Sequence, residues 1–359
     1  MPHSHYYGLI LAGGRGTRFW PRSRKRSAKQ VLNVMGERSL IQATVDRLRG
    51  VIAPERLWVL TSRELRDEII RQLPEIPKPQ ILAEPAQRNT APAIGLAAQI
   101  LAAQDPEAVM GVFPADHFVA KAPAFRQAVK AAFRGAQADR LMVVGIQPRW
   151  PETGYGYIEF PRGSKAGAGA PLEVRRFHEK PPLARARRYM AAGHFYWNSG
   201  MFFWRAGVLL EALRQHLPRT ATVLAALPRF GSRQFAAELE RVFPRCENIS
   251  IDFAVMERAD NVSGIAAADF GWSDVGSWNA VYELLPRDGY GNVAARDSVC
   301  LDAHNNFVDA RGKMVALVGV QDLIVVDTPD ALLIANRACA QKVGEVVKAL
   351  ELQKREELL

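Results

Sequence analysis

The chain has 359 residues, enough for one large domain and a smaller one, because single cores stop growing at roughly 250 to 300 residues. Its 48% hydrophobic and 23% charged residues exclude a disordered or fibrous chain and are typical of a globular protein with a sizeable core. The net charge of +10 raises the question of a polyanionic partner, which depends on where the basic residues lie.

Short apolar runs alternate with helical patterns from about residue 7 to about residue 146. The runs are 8–12, 57–60, 80–83, 109–113 and 141–144, and the helical patterns are about 40–49, 64–73, 91–103 and 124–137. This alternation predicts an α/β domain with a Rossmann-like, mostly parallel sheet and helices on both sides. Ligands of such sheets bind beyond the carboxyl ends of the strands, so the residues that follow each run are the candidate site residues.

The rest of the chain is less regular. Residues from about 150 to 285 are predicted to extend the same domain and to form a substrate wall. Strand-like runs between about 291 and 335 predict a small β unit, for which a left-handed β-helix is one form. A terminal helix from about Ala338 is expected to pack on its own chain or on a second subunit, as in a homodimer through the C-terminal region. The predicted domains are therefore 1–288 and 289–359.

A glycine-rich loop follows the first strand, with the sequence Gly-Gly-Arg-Gly-Thr-Arg over residues 13–18. The dinucleotide-binding fingerprint needs glycine where Phe19 stands, and a Walker A motif needs Gly-Lys-Ser/Thr from that same position, so both are excluded. What remains is a turn whose backbone N–H groups can approach phosphate oxygens, followed by Arg18 and Lys29.

Seven of the basic residues lie within residues 15–29, a segment without any carboxylate. This concentration favours a focused positive field over a small anion rather than the long basic stripe of a nucleic-acid-binding protein. A merely solvated basic loop is the alternative. We therefore predict no nucleic-acid partner. The only argument for such a partner is the net charge, because the sequence contains no recognisable nucleic-acid-binding module.

The loop resembles the signature of the sugar nucleotidyltransferase family, Ala-Gly-Gly-x-Gly-x-Arg-Leu-x-Pro, followed by a lysine preceded by proline. Pro21 matches, whereas Phe19 replaces the leucine and Ala28 replaces the second proline. The resemblance implies that Arg18 stabilises the triphosphate and leaving pyrophosphate and that Lys29 stabilises the α-phosphate. It also implies nucleotide contacts from Ala12, Gly13, Gly14, Gly16 and Thr17.

The third strand is followed by Glu-Pro-Ala-Gln-Arg-Asn-Thr-Ala-Pro-Ala over residues 84–93. Asn89 or Thr90 is suited to be the N-cap of a helix. Glu84 can only accept hydrogen bonds when ionised, so it suits the N1–H and amino group of guanine. The segment resembles Glu-Pro-x-x-Arg-Asn-Thr-Ala-Pro-Ala of mannose-1-phosphate guanylyltransferases, which implies nucleotide contacts from Glu84, Asn89, Thr90 and Ala91.

Two aspartates are candidates for a metal site. Asp116 ends the fourth strand in Pro-Ala-Asp-His, and Asp274 lies in Gly-Trp-Ser-Asp-Val-Gly-Ser-Trp over residues 271–278. Either aspartate alone is equally compatible with a turn or cap role. Both segments resemble guanylyltransferase patterns, which implies a Mg²⁺ cofactor held by both, because Mg²⁺ typically takes one or two protein carboxylates beside phosphate oxygens and water.

Three further segments resemble family motifs for the sugar phosphate, although each alone is compatible with a turn or strand end. They offer close backbone approach, a carboxylate suited to hydroxyls and a lysine suited to the phosphate. The implied residues are Gly154, Tyr155, Gly156, Glu179, Lys180, Asn198, Ser199 and Gly200. Residues 250–257 also match the family and are interpreted as mostly structural, with Asp252 as a helix cap or a support of the site.

Together the motifs imply a mannose-1-phosphate guanylyltransferase with GTP and mannose 1-phosphate as partners. Another sugar nucleotidyltransferase, such as a thymidylyl- or uridylyltransferase, and a non-catalytic regulator that binds nucleotide sugar are the alternatives. The three dispersed cysteines, without Cys-x-x-Cys, indicate neither a disulfide framework nor structural zinc. No leader pattern or apolar run of ~18 residues occurs, which predicts a cytoplasmic protein without a membrane partner.

Overall fold

The computed structural model describes residues 5–294 and 297–359. The strands are β1 Tyr6–Ala12, β2 Leu57–Thr61, β3 Ile81–Ala83, β4 Val109–Pro114, β5 Phe118–Val119, β6 Leu141–Ile146, β7 Tyr157–Glu159, β8 Leu172–Glu173, β9 Arg176–His178, β10 Phe195–Arg205, β11 Val262–Ala266, β12 Trp272–Ser273, β13 Ser298–Leu301, β14 Phe307–Asp309, β15 Val315–Val318, β16 Leu323–Asp327 and β17 Leu332–Asn336. The helices are α1 Leu40–Leu48, α2 Arg63–Gln72, α3 Thr90–Gln104, α4 Ala122–Ala136, α5 Leu183–Ala192, α6 Ala206–His216, α7 Pro218–Ala225, α8 Phe235–Val242, α9 Trp278–Leu284 and α10 Val343–Leu352. Within these described ranges, every helix is too short or too polar to cross a bilayer.

The main sheet confirms the predicted α/β fold. Its strand order is β3-β2-β1-β4-β10-β6-β11-β8, and β7 pairs with both β10 and β9. The five predicted strands β1, β2, β3, β4 and β6 all form, and β1, β2, β3 and β4 pair in parallel because helical crossovers connect them. The apolar runs of β2, β4 and β6 are buried, as expected for strands covered by helices on both faces of the sheet.

Strand β10 was not predicted, and it lies antiparallel between β4 and β6 at the centre of the sheet. Its register shifts between Asn198 and Phe202, where Gly200 adopts a positive φ of 69°. Such a bulge needs glycine and redirects the neighbouring side chains. The polar residues 198–200 therefore form a bulge inside a strand. In the sequence, the same residues interrupt the apolar pattern that would have indicated the strand.

The predicted helices before residue 137 form within one or two residues of their expected ends. Helices α5 to α8 lie in the segment that was predicted only as an irregular wall. The prediction of a helix from Ala338 to the chain end was wrong in extent. A 3₁₀ segment covers Arg337–Lys342, α10 then ends at Leu352, and a short 3₁₀ turn covers Glu356–Leu358.

The C-terminal β unit has parallel pairings of the kind that build a β-helix, with Ser298 beside Val315 and Phe307 beside Ile324. Its core is shared with the rest of the chain, because one cluster of buried side chains joins Phe19, Trp278 and Ile324. The division between residues 288 and 289 stays a prediction, and this shared core crosses it.

Candidate active site

A cleft of about 590 Å³ opens at the carboxyl ends of the parallel strands. The motif residues in its wall are Ala12, Gly13, Gly14, Glu84, Asn89, Thr90, Asp116 and Gly200. Four polar residues that the sequence did not single out for direct contact also line it, namely Gln30, Gln87, Asn248 and Asp252. The strand-end segments after β1, β3 and β4 therefore converge on one space, as the position of ligands in open α/β sheets predicts.

The glycine loop is shaped by two residues that follow it. Gly16 has a φ of 63°, and a Cβ placed on it would lie 2.4 Å from Lys29 Cβ, so only glycine fits there. Gln30 is buried, and its Nε2 donates to the carbonyls of Ala12 at 2.7 Å and Gly14 at 3.0 Å. Gln30 thus fixes the loop through its carbonyls, a role that no sequence pattern indicates beyond the place of Gln30 next to Lys29.

Ala28 keeps the backbone conformation of the proline that it replaces. Its φ of −72° lies within the narrow range that the proline ring imposes. Its ψ of 163° lies in the extended region that proline also adopts. Lys29 therefore begins its 3₁₀ turn with the geometry that the family pattern requires.

An Ala28→Pro variant is expected to retain turnover and to gain about 0.4 to 1 kcal/mol in free energy of unfolding, because proline restricts the unfolded chain. Chemical unfolding and a turnover assay measure the two effects. Ser27→Pro is the matched control, since the Ser27 amide donates to the Arg24 carbonyl at 3.1 Å, and it is expected to destabilise the protein. Equal destabilisation by both prolines would contradict the assignment.

Lys29 joins the two candidate metal aspartates. Its side chain is only 6% exposed, and Nζ donates to Asp116 Oδ2 at 2.9 Å and to the main-chain carbonyl of Asp274 at 2.5 Å. Nζ also lies 5.5 Å from the ring centre of Phe19, within cation–π range. A buried ammonium is thus fixed between two segments that lie 158 positions apart in the sequence, from 116 to 274.

The Asp116 carboxylate is ionised in this arrangement. Burial raises the pKa of Asp116, but the charge of Lys29 and its hydrogen bond outweigh burial and hold that pKa below its ordinary value. Beneath it, Arg47 is buried and donates Nη1 to the carbonyl of His117 at 2.9 Å. Burial lowers the pKa of Arg47 to about 10, so Arg47 remains charged at neutral pH and supports the Asp116 segment.

His117 is held as a neutral, hydrogen-bonded imidazole next to Asp116. Burial lowers the pKa of its imidazole to about 4, so the ring is neutral at pH 7. Trp272 Nε1, which can only donate, lies 3.2 Å from His117 Nδ1, so the His117 proton is on Nε2. His117 therefore acts as a hydrogen-bonded support of the aspartate beside it.

Asp274 is oriented by Tyr155, whose hydroxyl donates to Oδ1 at 2.6 Å. The ring of Tyr155 is held by edge contacts with Trp197 and Trp272, each at 5.3 Å between centroids. Tyr155, which is predicted to contact the sugar phosphate, thus also contacts the metal candidate. Gly154 is exposed, and its amide donates to Glu152 Oε1 at 2.7 Å.

The segment 84–93, which is predicted to recognise the nucleobase, has polar residues in the cleft wall and a buried alanine behind them. Asn89 Oδ1 caps α3 by accepting from the Thr90 amide at 2.9 Å, and Thr90 Oγ1 accepts from the Ile251 amide at 2.9 Å. Ala91 is fully buried and its amide donates to the Ile249 carbonyl, so the structure places Ala91 in the core instead of the cleft wall. Burial raises the pKa of Glu84 to about 7, so its carboxyl titrates near neutral pH.

A second polar cluster adjoins the cleft around Asn198. Asn198 Nδ2 donates to Asp252 Oδ1 at 2.7 Å, and the Gly200 amide donates to Asn198 Oδ1 at 2.9 Å. A Cβ on Gly156 would lie 2.6 Å from Glu179 Oε2 and 3.5 Å from Asn198 Cβ. Gly156 therefore lets the Glu179 carboxylate approach Asn198 closely.

Two other residues that were predicted to bind the sugar phosphate, Lys180 and Ser199, lie in different environments. Lys180 is exposed, and its Nζ donates to Glu179 Oε1 at 2.6 Å. Ser199 is buried, and its Oγ donates to the Val144 carbonyl at 2.7 Å. Ser199 thus holds the bulge of β10 and does not reach the cleft. Burial raises the pKa of Asp252, which places a partly desolvated carboxyl next to Asn198.

Comparisons with known proteins give the family of the chain. A family model described as nucleotidyl transferase matches residues 7–289, and one described as MannoseP isomerase/GMP-like beta-helix domain matches residues 296–350. A mannose-1-phosphate guanylyltransferase of Escherichia coli strain K12 is 41% identical over 371 residues, which cover 99% of this chain and 76% of the relative. The chain belongs to the mannose-1-phosphate guanylyltransferase family of nucleotidyl transferases. The alginate biosynthesis protein AlgA of Pseudomonas aeruginosa is 39% identical over 97% of this chain and 73% of its own length.

Solved structures extend the relationship of this guanylyltransferase family member to both parts of the chain. A Thermus thermophilus protein described as mannose-1-phosphate geranyltransferase has a TM-score of 0.85 and 34% identity, over 97% of this chain and 99% of its own. A Helicobacter pylori protein described as mannose-6-phosphate isomerase has a TM-score of 0.60 and 27% identity, over 75% of this chain and 99% of its own.

The basic loop of this guanylyltransferase family member differs from the focused positive field that its sequence predicts. Arg15 lies 2.8 Å from Glu351 and Lys25 lies 2.5 Å from Glu356, each pair joining a nitrogen to a carboxylate oxygen. Two more cations pair in the same way, Arg22 with Asp309 and Arg24 with Asp330. The expectation of a collective field was wrong, because carboxylates of the C-terminal unit neutralise these four cations.

Proposed function

We propose that the chain transfers the guanylyl group of GTP to mannose 1-phosphate, forming GDP-mannose and pyrophosphate. A phosphate oxygen of mannose 1-phosphate forms a bond to the α-phosphorus of GTP, and the bond from that phosphorus to the β-phosphate bridging oxygen breaks. Pyrophosphate leaves with the electron pair. The observation that carries the proposal is the fixed contact of Lys29 with Asp116, which lines the cleft, and with the main-chain carbonyl of Asp274.

Transfer of this kind depends on positioning and charge neutralisation more than on covalent chemistry. In the proposal the N–H groups of the glycine loop hold the triphosphate, and Lys29 stabilises charge on the α-phosphate in the transition state. Glu179 and Lys180 bind the sugar phosphate beside Asn198. Asp252 joins this group, because its carboxyl accepts from Asn198 and lines the cleft.

Asp116 and Asp274 fit the proposed Mg²⁺ site. The donor set is two carboxylates from separate segments, a number that Mg²⁺ accepts when phosphate oxygens and water supply the other ligands. Each carboxylate is oriented through one oxygen, Asp116 by Lys29 and Asp274 by Tyr155. When bound, Mg²⁺ would supply charge neutralisation to the triphosphate.

Guanine selection is proposed to rest on Glu84, because an ionised carboxylate can accept from both N1–H and the amino group of guanine. GTP binds the carboxylate form, so the KM for GTP is expected to fall as pH rises through about 7, the pKa that burial gives Glu84. Glu84→Gln should remove this pH dependence and reduce the preference for GTP over ATP by about 10- to 100-fold. Steady-state kinetics with both nucleotides at several pH values measures this, and Glu64→Gln, at an exposed position on α2, is the control. An unchanged preference in Glu84→Gln would contradict the assignment.

The experiment that tests the function is a panel of nucleoside triphosphates and sugar 1-phosphates, assayed for pyrophosphate release with Mg²⁺. GDP-mannose from GTP and mannose 1-phosphate is the expected product. A clear preference for dTTP or UTP would indicate the thymidylyl- or uridylyltransferase alternative. Binding of nucleotide sugar without turnover for any pair would indicate a regulator instead.

We also propose that the chain forms a homodimer through its C-terminal β unit. Val299, Leu301 and Val318 are exposed on β13 and β15, and Leu301 pairs directly with Val318. A Val318→Glu variant is expected to shift the molar mass measured by light scattering from dimer to monomer, whereas Leu352→Glu, at an exposed site on α10, is the control. A monomeric wild-type protein would refute the dimer. The cytoplasmic location stays a prediction.

A further inference from the structure

Arg18 has a different kind of partner from its neighbours in the basic loop. Its Nη1 donates to Gln341 Oε1 at 2.6 Å. Arg15, Arg22, Arg24 and Lys25 each contact a carboxylate of the C-terminal unit, whereas Gln341 is a neutral amide. The C-terminal unit therefore holds Arg18 without cancelling its charge, while it neutralises the cations around it.

Gln341 lies on a well-anchored segment. The 3₁₀ segment Arg337–Lys342 is capped by Asn336 Oδ1, which accepts from the Ala338 amide at 2.9 Å. The Arg337 guanidinium lies 3.5 Å from the ring centre of Tyr282 and donates to Asn279 Oδ1 at 2.9 Å. These contacts fix the segment against α9, so the Gln341 backbone is held although its side chain is exposed.

Arg18 is confined on two further sides. A Cβ on Gly344 of α10 would lie 3.6 Å from Arg18 Cγ and 3.4 Å from Thr17 Oγ1, so α10 lies against the stem of Arg18. A Cβ on Gly276 would lie 3.6 Å from Arg18 Nη1 and 3.1 Å from Asp274 Oδ2. The Arg18 guanidinium therefore lies close to the carboxylate of the proposed metal site.

We propose that Gln341 is a positioning residue, whose neutral amide holds the Arg18 guanidinium beside Asp274 and leaves its charge for the triphosphate of GTP. This inference rests on the proposed function and gives the C-terminal unit a part in it. A carboxylate at position 341 would hold Arg18 equally well but would cancel its charge, as Glu351 does for Arg15. Alanine would leave the charge and remove the restraint.

The two variants Gln341→Glu and Gln341→Ala separate charge from restraint. Inorganic tripolyphosphate is the probe, because it lacks base and sugar, and its Kd is measured by calorimetry with the whole 359-residue chain. Gln341→Glu is expected to raise this Kd about fivefold, the size of one exposed ion pair, without lowering the Tm. Gln341→Ala is expected to change the Kd less but to lower kcat about three- to tenfold through the lost hydrogen bond.

Glu357→Gln is the matched control, since it removes an exposed carboxylate of the same region that pairs with Arg355 and not with a cation of the basic loop, and it should leave the Kd unchanged. A wild-type Kd in Gln341→Glu overturns the inference. An equal loss of binding in both Gln341 variants together with a lowered Tm overturns it as well, because that result is purely structural. If the wild type makes no GDP-mannose but tripolyphosphate binding follows the expected order, the proposed function fails and the inference stands.

Discussion

Replacing Lys29 by methionine is expected to lower kcat by on the order of 10² to 10³, because a preorganised cation at developing phosphate charge contributes that much. Methionine keeps an apolar chain of similar length against Phe19 and Gly16, so it removes the charge while changing the packing little. Lys25→Met is the matched control. Lys25 lies in the same loop but pairs with Glu356 at the surface, so near wild-type kcat is expected.

The pH profile adds a second measurement to the Lys29 prediction. Lys29 holds the pKa of Asp116 below its ordinary value against the opposing effect of burial. Without that cation the Asp116 pKa rises, and the carboxylate is lost at a higher pH. The acidic limb of the residual activity is therefore expected to move to higher pH in Lys29→Met. A kcat within about tenfold of wild type with an unmoved acidic limb would contradict the role of Lys29.

Local sequence is enough to place three of the candidate segments at the cleft. Glycines after β1, Glu84 after β3 and Asp116 after β4 line the cleft because each follows a buried apolar run, and parallel strands end at one edge. The same argument gave the parallel strands and their helices. These features need only the alternation of short-range patterns.

The parts that depend on distant contacts were not predicted. Gln341 holds Arg18 across 323 positions, and nothing near either residue in the sequence indicates the pairing. Strand β10 was missed because its bulge at 198–200 interrupts the strand pattern, and because an antiparallel strand between β4 and β6 follows no local rule. The basic loop was misjudged for the same reason, since its neutralising carboxylates come from the C-terminal unit.

The core that the C-terminal unit shares with the rest of the chain explains why its carboxylates lie next to the basic loop. Trp20 Nε1 donates to the Leu358 carbonyl at 3.0 Å, and Trp278 Nε1 donates to the Trp20 carbonyl at 3.1 Å. The second half of the signature loop is thus packed and hydrogen-bonded by α9 and the chain end. The loop that binds phosphate in the proposal is one surface of a core that the C-terminal unit completes.

Asp274→Asn is expected to lower kcat/KM by on the order of 10² to 10³ and to raise the Mg²⁺ concentration needed for half-maximal turnover. Asparagine can still accept from Tyr155, and its main-chain carbonyl can still accept from Lys29. The variant therefore removes one metal-binding charge while keeping the two contacts that orient the residue. Titration with Mg²⁺ and with Mn²⁺ at saturating substrates measures the change.

Two matched variants separate metal binding from support of the fold. Tyr155→Phe leaves the Asp274 charge but removes its orienting hydrogen bond, so a smaller loss of about tenfold is expected with the same direction of change in metal requirement. Asp269→Asn, at an exposed pair with Lys121, should leave the metal titration unchanged. If Asp274→Asn keeps the wild-type metal titration, Asp274 does not hold Mg²⁺. Its contact with Lys29 is then structural, and Asp116 is the only one of the two aspartates left as a candidate metal ligand.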